Sequence, residues 1–262
     1  MKDVQNSIDK RGIAIQKVGI SRLALPFLVR QKDGGMQPVL ATIQMTVALP
    51  KECKGTHMSR FVEILNAWRQ KPISSHEMKD ILADAILRLE ADEAHLDLAF
   101  KYFLEKEAPA SKMKGLVDID CRFIGTLTKD GAFDFLLEVA VPYTSLCPCS
   151  KEISAYGAHN QRGTMCVKVR YDMDKILWIE DIVSNMEAQA SSPVYSLLKR
   201  QDEKVVTEEA YDNPKFVEDI LRDVVLVMRS MEGVRWFEVT CENQESIHNH
   251  NAYASHAEFV EA

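Results

Sequence analysis

No stretch of this 262-residue chain reaches the ~18 uninterrupted apolar residues that a membrane span requires, and the opening residues 1–6 are polar. Neither export nor insertion is signalled, and a cytoplasmic location is expected, with no membrane partner. Basic residues are in deficit: 32 Lys and Arg face 39 Asp and Glu, for a net charge of -7. A surface that tracks phosphates along a nucleic acid needs a basic excess, so no nucleic-acid partner is expected. A Gly-rich phosphate cradle of the P-loop type is absent as well. An anionic small molecule would have to be met locally, by Lys199, Arg200, Lys204, Arg162 or Lys151, although each reads equally as a solvated surface charge. With 46% apolar and 27% charged residues, the composition excludes disordered and collagen-like classes and describes a globular protein of one large domain or two of about 130 residues.

What is present is periodicity. Residues 13–30 and 38–49 alternate as strands around the turn Asp33-Gly34-Gly35. Phe61, Ile64, Leu65 and Trp68 mark one face of a helix over 58–70. A second helix opens at Ser74, with Glu77 three residues on completing a capping box, and carries Met78, Ile81, Leu82, Ala85, Ile86 and Leu89. Alternation returns over 96–104 and 116–128, ending at Lys129-Asp130-Gly131, a hairpin signal. The first half therefore reads ββααββ. The second half repeats that order, with strands over 133–143 and 164–171 and a helical region over 176–200. A long helix follows, with Asn213 as N-cap and Pro214 at its first position, and then strands over 234–241 and 252–260. An α+β class is expected, in two units divided at residues 130 and 131, with antiparallel sheets and helices on one face.

Chemistry concentrates in Cys147-Pro148-Cys149, with His159 ten residues beyond. If residues 147 and 149 are extended, side chains two apart project from one face and both sulfurs reach one cavity. The plain alternative is that free cysteines are small buried apolar groups. The run 199–204 is dense in charge and reads as a solvated connection between helices. Glu218 sits in the first turns after Pro214, where the helix dipole favours a carboxylate, and His248 and His250 have a spacing that suits metal binding or proton transfer. A divalent ion on one thiolate, one imidazole and one carboxylate, with an open position, can lower the pKa of water from about 15.7 toward ~7, and a nearby acid such as His248 or Cys149 can then protonate a leaving nitrogen.

The runs 146–154, 157–163, Asp202-Glu203-Lys204, Val206-Thr207-Glu208, 213–219 and 245–250 together resemble the prokaryotic type IB GTP cyclohydrolases. That resemblance covers most of residues 143–254, and the first half is similar mainly in layout and length. It implies a bimodular tunnelling fold and a homotetramer with active sites at subunit interfaces. It also implies hydrolysis of GTP to 7,8-dihydroneopterin 3'-triphosphate and formate, the entry step to tetrahydrofolate. Carried over by motif, Cys147, His159 and Glu203 would hold a divalent metal (zinc, manganese or iron), Cys149 and His248 would act with Cys147 in ring opening or proton transfer, and Glu218 would accept hydrogen bonds from the guanine N–H groups. The division between ligand and acid/base among Glu203, His248 and Cys149 stays open. Lys199, Arg200 and Lys204 are the candidates for the triphosphate. Two rivals remain at this level. One is the tunnelling-fold nitrile reductase, whose Glu-Ser-Lys signature is missing. The other is a zinc or redox dithiol module, since extended spacing leaves the two cysteine Cα atoms about 6 to 7 Å apart, near the upper end for a disulfide.

Overall fold

The computed structural model describes residues 7–260; the polar opening at 1–6 lies outside the described residues. By contacts the chain divides into two compact units, residues 7–101 with 122–137, and residues 102–121 with 138–260. The turn at Lys129-Asp130-Gly131 lies within the first of these.

In chain order the first half contains β1 (Ile15–Arg30), β2 (Met36–Leu49), α1 (Met58–Trp68), β3 (Pro72–Ile73), α2 (Ser75–Leu89), β4 (Glu93–Glu107) and β5 (Lys114–Thr128). This is the expected ββααββ order, with the two-residue β3 added. β1 and β2 form the expected antiparallel hairpin, β4 joins β2 antiparallel, and β3 makes a short parallel bridge to Leu28 and Val29. α2 begins where the capping box placed it: Ser74 is the N-cap, its Oγ accepts from the His76 N–H at 3.3 Å, and Glu77 Oε2 accepts from the Ser74 N–H at 2.9 Å. Phe61, Ile64 and Leu65 of α1 and Met78, Ile81, Leu82 and Ala85 of α2 are buried, as are Ile43, Met45, Leu96 and Leu98 on the strands. Each of these side chains other than Ala85 contributes about 1.5–3 kcal/mol by leaving water.

The second half runs β6 (Phe133–Leu146), α3 (Pro148–Ile153), β7 (Asn160–Tyr171), α4 (Ile179–Glu187), β8 (Ser192–Pro193), α5 (Arg200–Asp212), α6 (Val217–Ser230), β9 (Val234–Asn243) and β10 (Ala252–Phe259). β9 pairs antiparallel with both β7 and β10, and α6 packs its Ile220, Val224 and Met228 stripe on β9 and β10. Among the described residues, no helix is long and apolar enough to cross a membrane.

Three local expectations are corrected. Helix over 176–200 stops at Glu187, because Pro193 cannot continue it and side chains take over the backbone beyond: Asn213 Nδ2 donates to the Ala190 carbonyl at 2.9 Å and Lys106 Nζ to the Val194 carbonyl at 2.7 Å. The charged run 199–204 is not a solvated loop but the first turn of α5. Asn213 caps the end of α5 rather than the start of α6, whose N-cap is Phe216, with Asp219 Oδ2 accepting from the Phe216 N–H at 3.1 Å. Asparagine followed by proline serves a helix stop as well as a start.

Replacing Ser74 by alanine removes the N-terminal cap of α2, and a loss of about 1 kcal/mol is expected. Urea denaturation followed by circular dichroism should show the midpoint falling with an unchanged slope; an unaltered midpoint would refute the role of the cap.

Candidate active site

The local structure around Cys147 differs from the extended stretch expected for it. Cys147 is extended (φ -72°, ψ 118°), but it is the N-cap of α3, with Pro148 at the first helical position. Proline is preorganised for that position, having no N–H to lose. The helix turns Cys149 away from Cys147, leaving Cys149 exposed and Cys147 half-buried. All six cysteines are free. Burial pushes the Cys166 and Cys241 thiols up to about 12, and Cys121 higher still, so these three behave as structural apolar groups.

Backbone hydrogen bonds lock the Cys147 turn to His159. The Cys147 N–H donates to the His159 carbonyl at 3.1 Å. Ser150 Oγ donates to the Cys147 carbonyl at 3.2 Å and accepts from the His159 N–H at 3.1 Å, while the Ser150 N–H points at Cys147 Sγ at 3.5 Å. Thus Cys147 and His159 are set together by main chain.

The entry to α6 is joined to the same place. The Lys215 N–H donates to the Leu146 carbonyl at 3.1 Å, and Ser145 Oγ donates to the Lys215 carbonyl at 2.9 Å. Beneath lies a buried polar chain: Tyr143 Oη donates to Asn243 Oδ1 at 2.5 Å, and Asn243 Nδ2 donates to Ser145 Oγ at 3.3 Å. Asn243 is 2% exposed, so these partners offset a desolvation that would otherwise cost about 1–3 kcal/mol. Gly163, opposite Asn243 in the β7–β9 register, makes room for Tyr143: a Cβ there would come 2.3 Å from the ring. The Gln244 N–H donates to the Arg162 carbonyl at 2.8 Å, carrying the 244–250 loop over the start of β7.

These ties produce one cleft of about 260 Å³ in the second unit, whose lining includes Cys147, His159, Glu218, His248, His250 and Glu245. Five residues picked out from sequence, Cys147, His159, Glu218, His248 and His250, are therefore brought together. Cys149, Glu203, Lys199, Arg200 and Lys204 do not line it. Glu203 and the three cations are exposed at the start of α5, and Lys204 pairs with Glu208 at 3.5 Å. Arg162 points into a different cleft with Asp118 and Asp120, and Lys151 is held by the Tyr211 carbonyl and ring. Sequence reasoning passed over Gln161, Lys215 and Asn243, which also line the site; the first two stand inside quoted motif runs, but their amide and ammonium carried no spacing signal.

The cleft's donors are chemically suited to a divalent transition metal: a cysteine sulfur, imidazole nitrogens and carboxylate oxygens on one wall system. Among the described residues no three such side chains are already disposed around a single point. Asp202, next to Glu203 in the chain, is a different matter. It is fully buried and accepts from the Ala110 N–H (2.8 Å), the Ser111 N–H (2.7 Å), Ser111 Oγ (2.6 Å) and the Lys199 N–H (2.8 Å). Burial alone would raise its pKa, but these donors outweigh it and hold the carboxyl well below the usual range.

The family described as type I GTP cyclohydrolase folE2 matches residues 1–254. The chain belongs to that family. It is 51% identical to the GTP cyclohydrolase FolE2 of Geotalea uraniireducens (strain Rf4) over 97% of this chain and 92% of that one. With the protein of the same description from Syntrophotalea carbinolica (strain DSM 2380 / NBRC 103641 / GraBd1), identity is 53% over 97% and 94%. The fold is the tunnelling fold: the uricase of Arthrobacter globiformis superposes with a TM-score of 0.53 at 6% identity, covering 94% of each chain. Urate oxidase from Bacillus subtilis 168 gives 0.51 at 7%, covering 93% of this chain and 98% of that one. At such identity the likeness concerns architecture alone. Membership of the FolE2 family gives the convergence of Cys147, His159, Glu218 and His248 a chemical setting.

Because the folded pKa of Asp202 is depressed, its ionised form stabilises the protein fully above the ordinary carboxylate value of 3.8, and that contribution declines below 3.8 and is gone only once pH has fallen through the depressed folded value. Asp202→Asn should therefore melt below the wild type at pH 6, with the gap beginning to narrow as the pH is taken from 4 to 3. Thermal melts across that range check this; a gap that does not vary with pH would contradict it.

Proposed function

We propose that this chain is a cytoplasmic GTP cyclohydrolase, converting GTP and water to 7,8-dihydroneopterin 3'-triphosphate and formate for tetrahydrofolate synthesis. The observation that carries this reading is the meeting of Cys147, His159, Glu218 and His248, from four separate segments, in one cleft of a FolE2-family chain.

Glu218 lies in the first turn of α6, at the rim of the cleft beside Phe216 and Val217. Its carboxylate accepts hydrogen bonds from the guanine N–H edge, a charge-assisted arrangement that a neutral side chain cannot reproduce. Phe216, partly exposed, offers the purine an apolar surface. A proton delivered to N7 makes C8 electrophilic. His248 lines the cleft and is assigned that proton, with Cys149 in the first turn of α3 as the second transfer group. Cys147 and His159 are assigned as metal ligands on their shared cleft, and Glu203 on its motif match. The divalent ion they hold, zinc, manganese or iron, supplies when bound a water whose pKa falls from about 15.7 toward ~7. Water adds at C8 and the imidazole ring opens to a formamide, and hydrolysis of that formamide releases formate.

Lys199, Arg200 and Lys204 are assigned to the triphosphate. They share the first turns of α5 with Glu203, and none of the four lines its own chain's cleft. This supports a homotetramer in which copies complete one another's sites at the subunit interfaces.

Purified protein incubated with GTP and manganese or zinc, then oxidised, should yield a fluorescent pterin and stoichiometric formate. No pterin with any metal would overturn the reading. Glu218→Ala should raise KM by about 30-fold, the equivalent of one charge-assisted hydrogen bond of ~2 kcal/mol. Cys147→Ala and His159→Ala should lose metal and turnover together, whereas Cys149→Ala should keep metal and lose turnover, as metal content measured beside activity will show.

A further inference from the structure

His159 is not an isolated ring on the cleft wall. Its Nδ1 lies 3.0 Å from Gln161 Oε1 and 3.4 Å from Ser246 Oγ. Gln161 is only 7% exposed, lies two residues further along β7 and lines the same cleft. An amide oxygen accepts and never donates, so the proton of the neutral ring belongs on Nδ1 and the lone pair on Nε2. A serine hydroxyl can adopt either role and follows that choice. Two main-chain constraints also aim the residue: the His159 backbone N–H donates to Ser150 Oγ and its backbone carbonyl accepts from the Cys147 N–H. With the main chain clamped and Nδ1 occupied, Nε2 is the ring nitrogen left to present to an ion shared with Cys147 Sγ.

We propose that Gln161 is a positioning residue that selects the Nδ1–H tautomer of His159 and aims its Nε2 at the divalent metal. The inference rests on the cyclohydrolase reading of the site. Histidine ligands draw both orientation and basicity from an outer hydrogen-bond partner, and losing that partner costs about 10- to 100-fold in metal affinity or activity. Glutamine supplies the acceptor without adding a charge beside the thiolate and carboxylates of the cleft. Deleting the acceptor frees the ring to exchange tautomers and rotate, so part of the population turns a protonated nitrogen toward the ion.

The test uses the full chain, stripped with a chelator and titrated anaerobically with Co²⁺ alone. The thiolate-to-cobalt charge-transfer band is the readout, and melting of the metal-free protein is followed in parallel. Wild type should develop the band, and Cys147→Ala should not. Gln161→Leu should weaken Co²⁺ binding by about 10- to 100-fold while the metal-free melting temperature holds, whereas Gln161→Glu, which still accepts from Nδ1–H, should stay within about threefold of wild type. Should Gln161→Leu melt early, the comparison of Gln161→Glu with wild type decides, since a glutamate that binds Co²⁺ as poorly as leucine removes the acceptor role. A band in wild type with unchanged affinity in Gln161→Leu overturns this inference alone. No band in wild type overturns the Cys147 and His159 ligand assignment, and the inference falls with it.

Discussion

The site depends on a main-chain clamp between two turns. Cys147 and His159 are twelve positions apart, and nothing about their side chains would keep them adjacent before a ligand arrives. The Cys147 N–H to His159 carbonyl bond, and the Ser150 hydroxyl that joins the Cys147 carbonyl to the His159 N–H, do so through groups that must be satisfied in any case. Proline at the first position of α3 makes this possible. It fixes the turn that frees the Cys147 side chain from the strand, and it gives up no hydrogen bond in doing so. Preorganisation of this kind means that an arriving ion or substrate does not have to bear the entropy of ordering the backbone.

Beneath the clamp, the buried chain Tyr143–Asn243–Ser145–Lys215 ties the ends of β6 and β9 to the entry of α6. Its geometry is demanding, because Tyr143, Ser145 and Asn243 are out of water and would be costly if left unpaired. Gly163 is part of the same bargain, since any larger residue would displace the Tyr143 ring. The consequence for function is positional: Glu218 on α6 and the 244–250 loop after β9 can only sit where this network puts them, facing Cys147 and His159.

The strands and the first two helices were legible because their burial follows strict periods of 2.0 and 3.6, and because Ser74 and Glu77 state a helix start twice over. Residues 188–199 were not legible. Their apolar spacing resembles a helix, and what breaks it is tertiary, namely Asn213 and Lys106 reaching in to bind the carbonyls of Ala190 and Val194. The Asn213-Pro214 pair was misread because the same dipeptide can close one helix or open the next, and only the Leu146 contact with Lys215 decides between them. In the site, sulfur and imidazole spacing exposed Cys147, His159 and His248, whereas Glu218 was singled out by the family resemblance. Gln161 and Asn243 stayed hidden because an amide shows its importance only through its partner.

Helical rotation explains why near neighbours in these motifs have unlike duties. Positions one and two apart on a helix diverge by about 100° and 200°. Asp202 and Glu203 are adjacent, yet the first turns inward to four donors that saturate its oxygens and the second turns outward to solvent. A carboxylate already accepting four hydrogen bonds has little left to offer a cation, whereas one held out by a fixed helical turn is free to give both oxygens. Asp202 therefore serves the fold, anchoring α5 to the Ala110-Ser111 turn, and by doing so it fixes the direction in which Glu203 projects. Cys147 and Cys149 divide in the same manner: the helix start that leaves Cys147 facing the cleft carries Cys149 out of it. A motif of two like residues close together in sequence is thus two single groups in space, one half-buried on the cleft wall and one exposed beside it.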